Sequence, residues 1–187
     1  MSYQAPIDEA KLIKDLQNPK TAHQAFDLLM RTYGKQMYWQ IRKMVIGHDD
    51  ANDLVQNAFI KAWNHLPNFR GDAKLSTWLF KIAVNESINF LNRERMKAQI
   101  NDDSDDSFLL NSIESDTYFD GDDLQKELQK AIAHLPDKQR LVFNMRYYDE
   151  MKYEEMSQIL GTSVGALKAS YHHAVKKIAE AIGNLDM

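Results

Sequence analysis

The sequence predicts an all-α protein made of two small helical domains joined by an acidic linker. Apolar residues recur at spacings of three and four along almost all of the 187 residues, and no stretch shows the sustained alternation of a strand. Only four prolines and seven glycines interrupt this pattern. Residues 101–123 hold nine acidic residues and no lysine or arginine, a composition typical of a linker.

Each predicted helix is bounded by a residue that breaks helices. The expected spans are 7–17, 20–46, 49–66, 75–96, 123–134, 136–148, 152–160 and 163–182. The breaks fall at Pro19, Gly47, Pro67, Pro136 and Gly161. We therefore expect one domain over residues 1–97, a linker over 98–123 and a second domain over 124–187.

The net charge of −4 conceals an uneven distribution along the chain. Removing the nine acidic residues of 101–123 from 23 basic and 27 acidic residues leaves 23 against 18, a net charge of +5. Both predicted domains are thus mildly basic, which is compatible with a nucleic-acid partner. With no cysteine, no apolar run of membrane-spanning length and no secretion signal, we expect a cytoplasmic protein without membrane insertion.

The stretch YEEMSQILGTSVGALKASYHHAVKKI, residues 153–178, has the layout of a helix-turn-helix. Gly161 suits the left-handed end of the first helix, and Ser163 suits the cap of the second. The second helix has an apolar stripe, and its opposite face carries basic and small residues. We predict that this face binds DNA through Ser163, Lys168, Ala169, His172, His173 and Lys176. A helical hairpin with a solvated basic face is the alternative.

A resemblance strengthens this interpretation. The run LPDKQRLVFNMRYYDEMKYEEMSQILGTSVGALK, residues 135–168, resembles region 4 of the extracytoplasmic-function sigma factors, the two-domain promoter-recognition subunits of bacterial RNA polymerase. The resemblance implies that the C-terminal domain recognises the −35 promoter element and docks on the β flap of the polymerase. Family members commonly carry arginine where this chain has Ser170, His173 and Val175, which implies a weaker phosphate grip or a different sequence preference.

The helix predicted over 49–66 has an apolar face and an opposite polar face. Ile60 is an isoleucine amid that polar face, which favours either a solitary exposed residue or a docking surface. The stretch DLVQNAFIKAW resembles the region 2 helix that binds the clamp coiled coil of the β′ subunit. The predicted polymerase-binding residues are Asp53, Gln56, Asn57 and Ile60, with an acid usual in the family at position 57.

The stretch FRGDAKLSTWLFKIAVN, residues 69–85, combines a basic loop with a helix that carries tryptophan and asparagine on one side. Asparagine can pair with base edges, and tryptophan offers a plane for an unstacked base. The alternative is that Trp78 only packs against a neighbouring helix. The stretch resembles regions 2.3 and 2.4, which bind melted −10 DNA. The predicted −10 residues are Phe69, Arg70, Gly71, Asp72, Lys74, Trp78, Asn85 and Asn89.

An enzyme and a stand-alone repressor are the two alternatives to a sigma factor. The chain lacks the motifs of common catalytic sites, and adjacent His172 and His173 point about 100° apart on a helix, so we expect no catalytic residue, cofactor or metal. A stand-alone helix-turn-helix repressor would bind duplex DNA unaided and normally as a dimer. The resemblance instead implies core RNA polymerase, promoter DNA and an anti-sigma factor as partners, and a monomer when free.

Overall fold

A computed structural model describes residues 8–100, 107–116 and 123–183. These residues form α-helices, with one short 3-10 turn at Leu66–Asn68 and no strand. The all-α prediction is confirmed. The helices are α1 (Glu9–Gln17), α2 (Ala22–Val45), α3 (His48–His65), α4 (Leu75–Ile100), α5 (Ser107–Glu114), α6 (Asp123–Ala133), α7 (Asp137–Tyr147), α8 (Tyr153–Leu160) and α9 (Val164–Gly183).

Local chemistry explains where several helices begin and end. The Asp8 carboxylate caps α1 by accepting a hydrogen bond from the Lys11 amide at 3.0 Å. Gly161 ends α8 with φ of 63°, the left-handed conformation that glycine adopts without steric cost. The Ser163 hydroxyl accepts from the Ala166 amide at 3.3 Å and so caps α9. The two turn residues predicted from the helix-turn-helix pattern are thereby confirmed.

The N-terminal helices enclose one apolar core. The long helices α2, α3 and α4 pack against one another, and α1 lies against α2. Leu29, Met37, Ile41, Leu79 and Ala83 are fully buried at the centre of these contacts. A hydrogen bond of 2.5 Å from the Leu75 amide to the Glu9 carboxylate joins the start of α4 to α1. This packing fixes the outward faces of α3 and α4, where the predicted site residues lie.

The C-terminal helices have a smaller core of their own. Helices α6, α7 and α9 surround Ile132, Leu135, Phe143, Ala174 and Ile178. Arg140 on α7 is fully buried beside this core. Its guanidinium donates to the Asp137 carboxylate at 2.8 Å and to the Ala133 carbonyl at 2.9 Å. A buried arginine is tolerated because these acceptors replace its lost hydration.

The predicted linker contains a helix that the sequence pattern did not predict. In α5, Leu109 and Ile113 are fully buried, and the helix packs against α6 and α4. Phe108 meets Phe90 of α4 edge to face, with ring centroids 6.4 Å apart. Residues 107–116 are therefore more than a solvated tether, while 101–106 and 117–122 lie outside the described residues.

Candidate nucleic-acid interface

The outward face of α3 matches its predicted composition. Leu54, Ala58 and Ala62 are buried, whereas Asp53, Gln56, Asn57 and Ile60 are exposed. The Ile60 side chain is 59% exposed, the largest exposure of any apolar residue on this helix. An isoleucine held this far out of the core leaves apolar surface available to a partner.

Ile60 borders a groove between α2 and α3 with a volume of about 500 Å³. The groove floor is apolar and aromatic, formed by Phe26, Met30, Phe59 and Trp63. Trp63 is held by an edge contact to Phe26 and by a stacked His23, each with ring centroids 4.9 Å apart. The groove therefore combines rigid aromatic walls with the polar residues Gln56 and Asp27 at its rim.

The loop between the 3-10 turn and α4 presents polar residues at the surface. Arg70, Gly71, Asp72 and Lys74 are exposed, and Gly71 adopts φ of 77°, which favours glycine. Phe69 is different, because it is buried with only 7% of its surface exposed. The Gln17 side chain donates to the Phe69 carbonyl at 3.0 Å and so holds the loop against α1.

Trp78 lies half-buried at the start of α4, directly above Phe69. Their ring centroids are 4.9 Å apart at an interplanar angle of 43°. The indole is thus partly used in packing, and part of it stays open to the exterior. Both interpretations of Trp78, packing and base stacking, are compatible with this position.

Asn85 and Asn89 are exposed on α4, one turn apart, and Asn92 continues the same side. Four residues separate Asn85 from Asn89, so their amides project in nearly the same direction. The core side of α4 holds Leu79, Ala83 and Leu91. The structure therefore presents the asparagines on an outward face, as the periodicity predicted.

The outward face of α9 is basic along its length. Lys168, Ala169, His172, His173 and Lys176 are all exposed, while Leu167, Ala174 and Ile178 are buried. The Lys168 ammonium lies 5.8 Å from the Tyr153 ring of α8, a cation–π contact that positions it near the turn. The Lys176 ammonium lies 3.8 Å from the Glu180 carboxylate at the far end of this face.

Ion pairs join the N-terminal and C-terminal helices that the structure describes, and periodicity along the chain does not predict them. Arg95 of α4 donates to both oxygens of Asp137, at 2.6 and 2.7 Å. Lys43 of α2 pairs with Asp149, and the Asn144 amide donates to the Lys43 carbonyl at 2.9 Å. Partners 42 to 106 residues apart leave no periodic signal.

These contacts change the ionisation of Asp137. Partial burial alone would raise its pKa, but the hydrogen bonds from Arg95 and the charges of Arg140 and Arg95 outweigh burial and lower the pKa. The pKa of Asp50 moves the other way, because burial and the nearby Glu94, Asp53 and Asp49 all disfavour its charged form. Asp137 is therefore a firmly ionised link between two arginines.

The described residues contain neither a membrane-spanning helix nor a metal-binding cluster. No helix combines the length and apolar composition that crossing a bilayer requires. Within the same residues, no three or more His, Cys, Asp or Glu side chains are grouped so that they could hold a metal ion.

Comparison with protein families gives two matches, one in each half of the chain. Residues 29–96 match the model of Sigma-70 region 2, and residues 125–178 match that of Sigma-70, region 4. The first match contains the α3 face, the loop and the asparagine face, and the second contains the basic face of α9.

Three similar proteins are bacterial sigma factors. The chain is 30% identical over 166 residues to the RNA polymerase sigma-H factor of Pseudomonas aeruginosa, covering 84% of this chain and 86% of that one. It is 29% identical over 180 residues to the ECF RNA polymerase sigma-E factor of Escherichia coli, covering 88% of each. It is 27% identical over 169 residues to the ECF RNA polymerase sigma factor SigW of Bacillus subtilis, covering 86% of this chain and 90% of that one.

Two solved structures share the fold. The sigma factor RpoE of Bartonella quintana, in complex with the anti-sigma factor NepR, has a TM-score of 0.66 at 22% identity, covering 84% of this chain and 96% of that one. CnrH, in complex with the cytosolic domain of CnrY, has a TM-score of 0.68 at 22% identity, covering 94% of this chain and 97% of that one.

Proposed function

Because the chain belongs to the extracytoplasmic-function sigma factors of bacterial RNA polymerase, we propose which of its surfaces bind the polymerase and which read the promoter. The chain directs promoter recognition for transcription initiation, and the comparisons give no support to a stand-alone repressor. The proposed division follows the two matched regions. Residues 1–97 dock on core polymerase and read the −10 element. Residues 98–123 connect the two domains, and residues 124–187 read the −35 element.

The polymerase-docking surface is the outward face of α3 with the groove beside it. Ile60 and the aromatic groove supply a desolvated anchor, and Asp53, Gln56 and Asn57 supply polar contacts around it. This combination of an apolar anchor and a polar rim is the usual anatomy of a protein interface. The proposed occupant is the clamp coiled coil of the β′ subunit, and the C-terminal domain docks on the β flap.

The promoter-reading surfaces are the loop with α4 and the outward face of α9. Asn85 and Asn89 offer donors and acceptors to base edges, and the half-buried Trp78 offers the exposed part of its indole for stacking. Phe69 supports Trp78 from below, so its part in the −10 pocket is to hold the indole in place. On α9, Lys168, Lys176 and the two histidines face outward where a major groove would lie.

The remaining assignments follow from the same family membership. The polymerase supplies the catalysis, so this chain needs no catalytic residue or cofactor. It acts in the cytoplasm, where its polymerase acts, and is a monomer when free. An anti-sigma factor is a further proposed partner, because one structure of this fold is a sigma factor in complex with an anti-sigma factor.

The exposure of Ile60 carries the docking proposal, and Ile60→Glu tests it. A surface substitution moves the free energy of unfolding by about 0.5 kcal/mol or less. The variant should therefore stay folded but lose at least about tenfold in affinity for core polymerase, since truncating a central apolar anchor costs on the order of 2 kcal/mol. A pull-down and a run-off transcription assay with core polymerase measure the two effects.

Leu28→Glu is the matched control. Leu28 of α2 is 47% exposed and lies outside the groove. The Leu28→Glu substitution therefore places the same charge at a similarly exposed apolar position. It should bind core polymerase as the wild type does. Equal binding by the folded Ile60→Glu variant and the wild type would remove α3 from the interface.

A further inference from the structure

The first helix, α1, contacts the proposed −10 loop at both of its ends. The loop runs from Phe69 to Lys74, between the 3-10 turn and α4. The Gln17 side chain donates to the Phe69 carbonyl at 3.0 Å, and the Glu9 carboxylate accepts from the Leu75 amide at 2.5 Å. These two hydrogen bonds form the α1 brace. Glu9 and Gln17 are the first and last residues of α1, about 12 Å apart along its axis, so the brace fixes the start and the end of the loop separately.

Glu9 supplies a cap that the loop itself does not provide. The first amides of α4 have no carbonyl partner within the helix, so a side chain or water has to accept from them. The residue before α4 is Lys74, whose ammonium has donors only. The Glu9 carboxylate takes this place, and its negative charge suits the positive end of the helix dipole. A residue of α1 therefore sets the first turn of α4, which contains Trp78.

Gln17 acts on the other end of the loop. It binds the carbonyl of Phe69, the residue whose ring lies against Trp78 with centroids 4.9 Å apart. Phe69 is buried, whereas residues 70–74 are exposed and Gly71 has φ of 77°. An exposed loop with a glycine keeps much conformational freedom unless its ends are held. The brace reduces that freedom before DNA arrives.

The brace is anchored in the N-terminal core. Leu12 and Leu16 of α1 are buried in the same apolar core as Phe69 and Leu75, and α1 packs against α2 and the 3-10 turn. The match to Sigma-70 region 2 covers residues 29–96, so α1 precedes the matched residues. The side chains of the brace thus come from outside the matched region, while the loop that they hold lies inside it.

We propose that Glu9 and Gln17 are positioning residues for −10 recognition, which hold the loop and the first turn of α4 in the conformation that binds melted promoter DNA. The inference rests on the proposed −10 surface. The two residues act through the Leu75 amide and the Phe69 carbonyl. When only a fraction of the molecules has a competent loop, the affinity for melted DNA falls by that fraction. The loss falls on promoters whose bases the loop can bind, so discrimination between −10 elements falls with it.

Gln17→Met tests the start of the loop, because it removes the donor at an exposed position and keeps a side chain of similar length. Run-off transcription with core polymerase compares a promoter used by the wild-type holoenzyme with derivatives that carry single −10 base changes. The ratio of the two rates should fall about two- to tenfold, the range for loss of one neutral hydrogen bond. A lower folded fraction would reduce both rates equally and leave the ratio unchanged. Wild-type discrimination by a folded Gln17→Met protein overturns the proposal.

A pair of variants tests Glu9 at the end of the loop. Glu9→Met removes the acceptor for the Leu75 amide, whereas Glu9→Gln keeps an oxygen that can accept from it. Glu9→Met should lower −10 discrimination about tenfold or more, since hydrogen bonds to charged groups are the stronger ones. Glu9→Gln should keep most of the discrimination. Equal discrimination by the two variants contradicts the role of Glu9, and the Gln17→Met result decides if Glu9→Met does not fold.

The absence of cysteine from the sequence allows the loop to be observed directly. Ala73→Cys, at an exposed position of the loop, carries a spin label in the full-length free protein. Adding Gln17→Met should sharpen the spectrum of the label, because a loop released at one end moves faster on the nanosecond timescale. An unchanged spectrum contradicts the α1 brace.

Gln24→Met is the matched control for Gln17→Met. Gln24 is exposed on α2 and lines a groove without loop residues, so this variant should discriminate between −10 elements as the wild type does. Failure of the −10 surface itself is read separately, from Asn85→Ala and Asn89→Ala. If the asparagine variants keep wild-type selectivity, the proposed −10 surface is wrong. If they lose selectivity while Gln17→Met and Glu9→Met keep it, only the positioning role of α1 is wrong.

Discussion

At the residue scale, Lys61 and Glu86 show which features helical periodicity predicts and which it does not. The spacing on α4 places Glu86 close to the apolar side, and its 8% exposure agrees with that. Its carboxylate accepts from the Lys61 ammonium at 2.5 Å, and Lys61 lies on α3. Sequence alone shows which way a side chain faces on its own helix. It does not show which residue of another helix will meet it.

Replacing Lys61 tests this pair. Lys61→Met should lower the free energy of unfolding by about 1–3 kcal/mol, because it leaves the buried Glu86 carboxylate without its cation. Lys61 itself is half exposed, so the cost should stay below that of a fully buried pair. Urea denaturation measures the change. In the double variant Lys61→Met with Glu86→Gln, most of the lost stability should be regained. A loss that persists would come from the lysine side chain itself and not from the unpaired carboxylate.

His173 is one of the α9 residues at which the resemblance to the family implies a departure from arginine. Its side chain is exposed on α9. His173→Arg adds a charge that is always present, so promoter binding by the holoenzyme should strengthen. The slope of log affinity against log salt should steepen by about 0.9 for one additional phosphate contact. Val175→Arg, at another exposed position of α9, is a comparison variant. An unchanged salt slope for His173→Arg would place the residue 173 side chain away from the DNA backbone.

At the scale of elements, the long helices follow from the sequence and the short one in the linker does not. Proline and glycine breaks predicted the ends of α2, α3, α8 and α9 to within two residues. Helix α4 runs four residues past its predicted end, to Ile100. Helix α5 follows an acidic run and has only eight residues, which are too few to give a periodic signal. Its stability comes from the burial of Leu109 and Ile113.

Helix α5 therefore offers a test of whether the linker contributes to folding. Leu109 is fully buried, so Leu109→Ala should lower the free energy of unfolding by about 2–4 kcal/mol through lost burial and the cavity it leaves. Asn111→Ala on the exposed side of the same helix should change it by less than about 0.5 kcal/mol. Thermal and urea denaturation of both variants decide the matter. Equal stabilities would mean that the linker packs only loosely.

At the scale of the whole molecule, the sequence predicted two domains but not their packing. Patterns along a chain report which face of each helix is apolar, and both domain cores use that information. The contact between domains depends on side chains such as Asn144 and Arg95, whose partners are more than 40 residues away. The exposed site residues on α3, α4 and α9 were predictable because exposure follows helical period. The occupation of Arg95 by Asp137 was not.

The lowered pKa of Asp137 gives the domain packing a defined pH dependence. The group is more acidic in the folded chain than in the unfolded one, where aspartate titrates near pH 3.9, so its stabilisation is fully present above the unfolded value. It is lost as pH falls through the lower, folded value. The groups that face the carboxylate, Arg95 and Arg140, keep their charge throughout this range.

Comparing wild type with Asp137→Asn isolates this contribution. The difference in free energy of unfolding should be constant between about pH 5 and pH 7.5, since the wild-type carboxylate is ionised in both states there. Below about pH 5 the difference should shrink, because the unfolded wild-type chain takes up a proton that the folded chain resists. The other carboxylates titrate in both proteins and cancel. Urea denaturation at half-unit pH intervals measures the difference. A difference that stays constant down to pH 3.5 would mean that Arg95 and Arg140 do not favour the ionised form of Asp137.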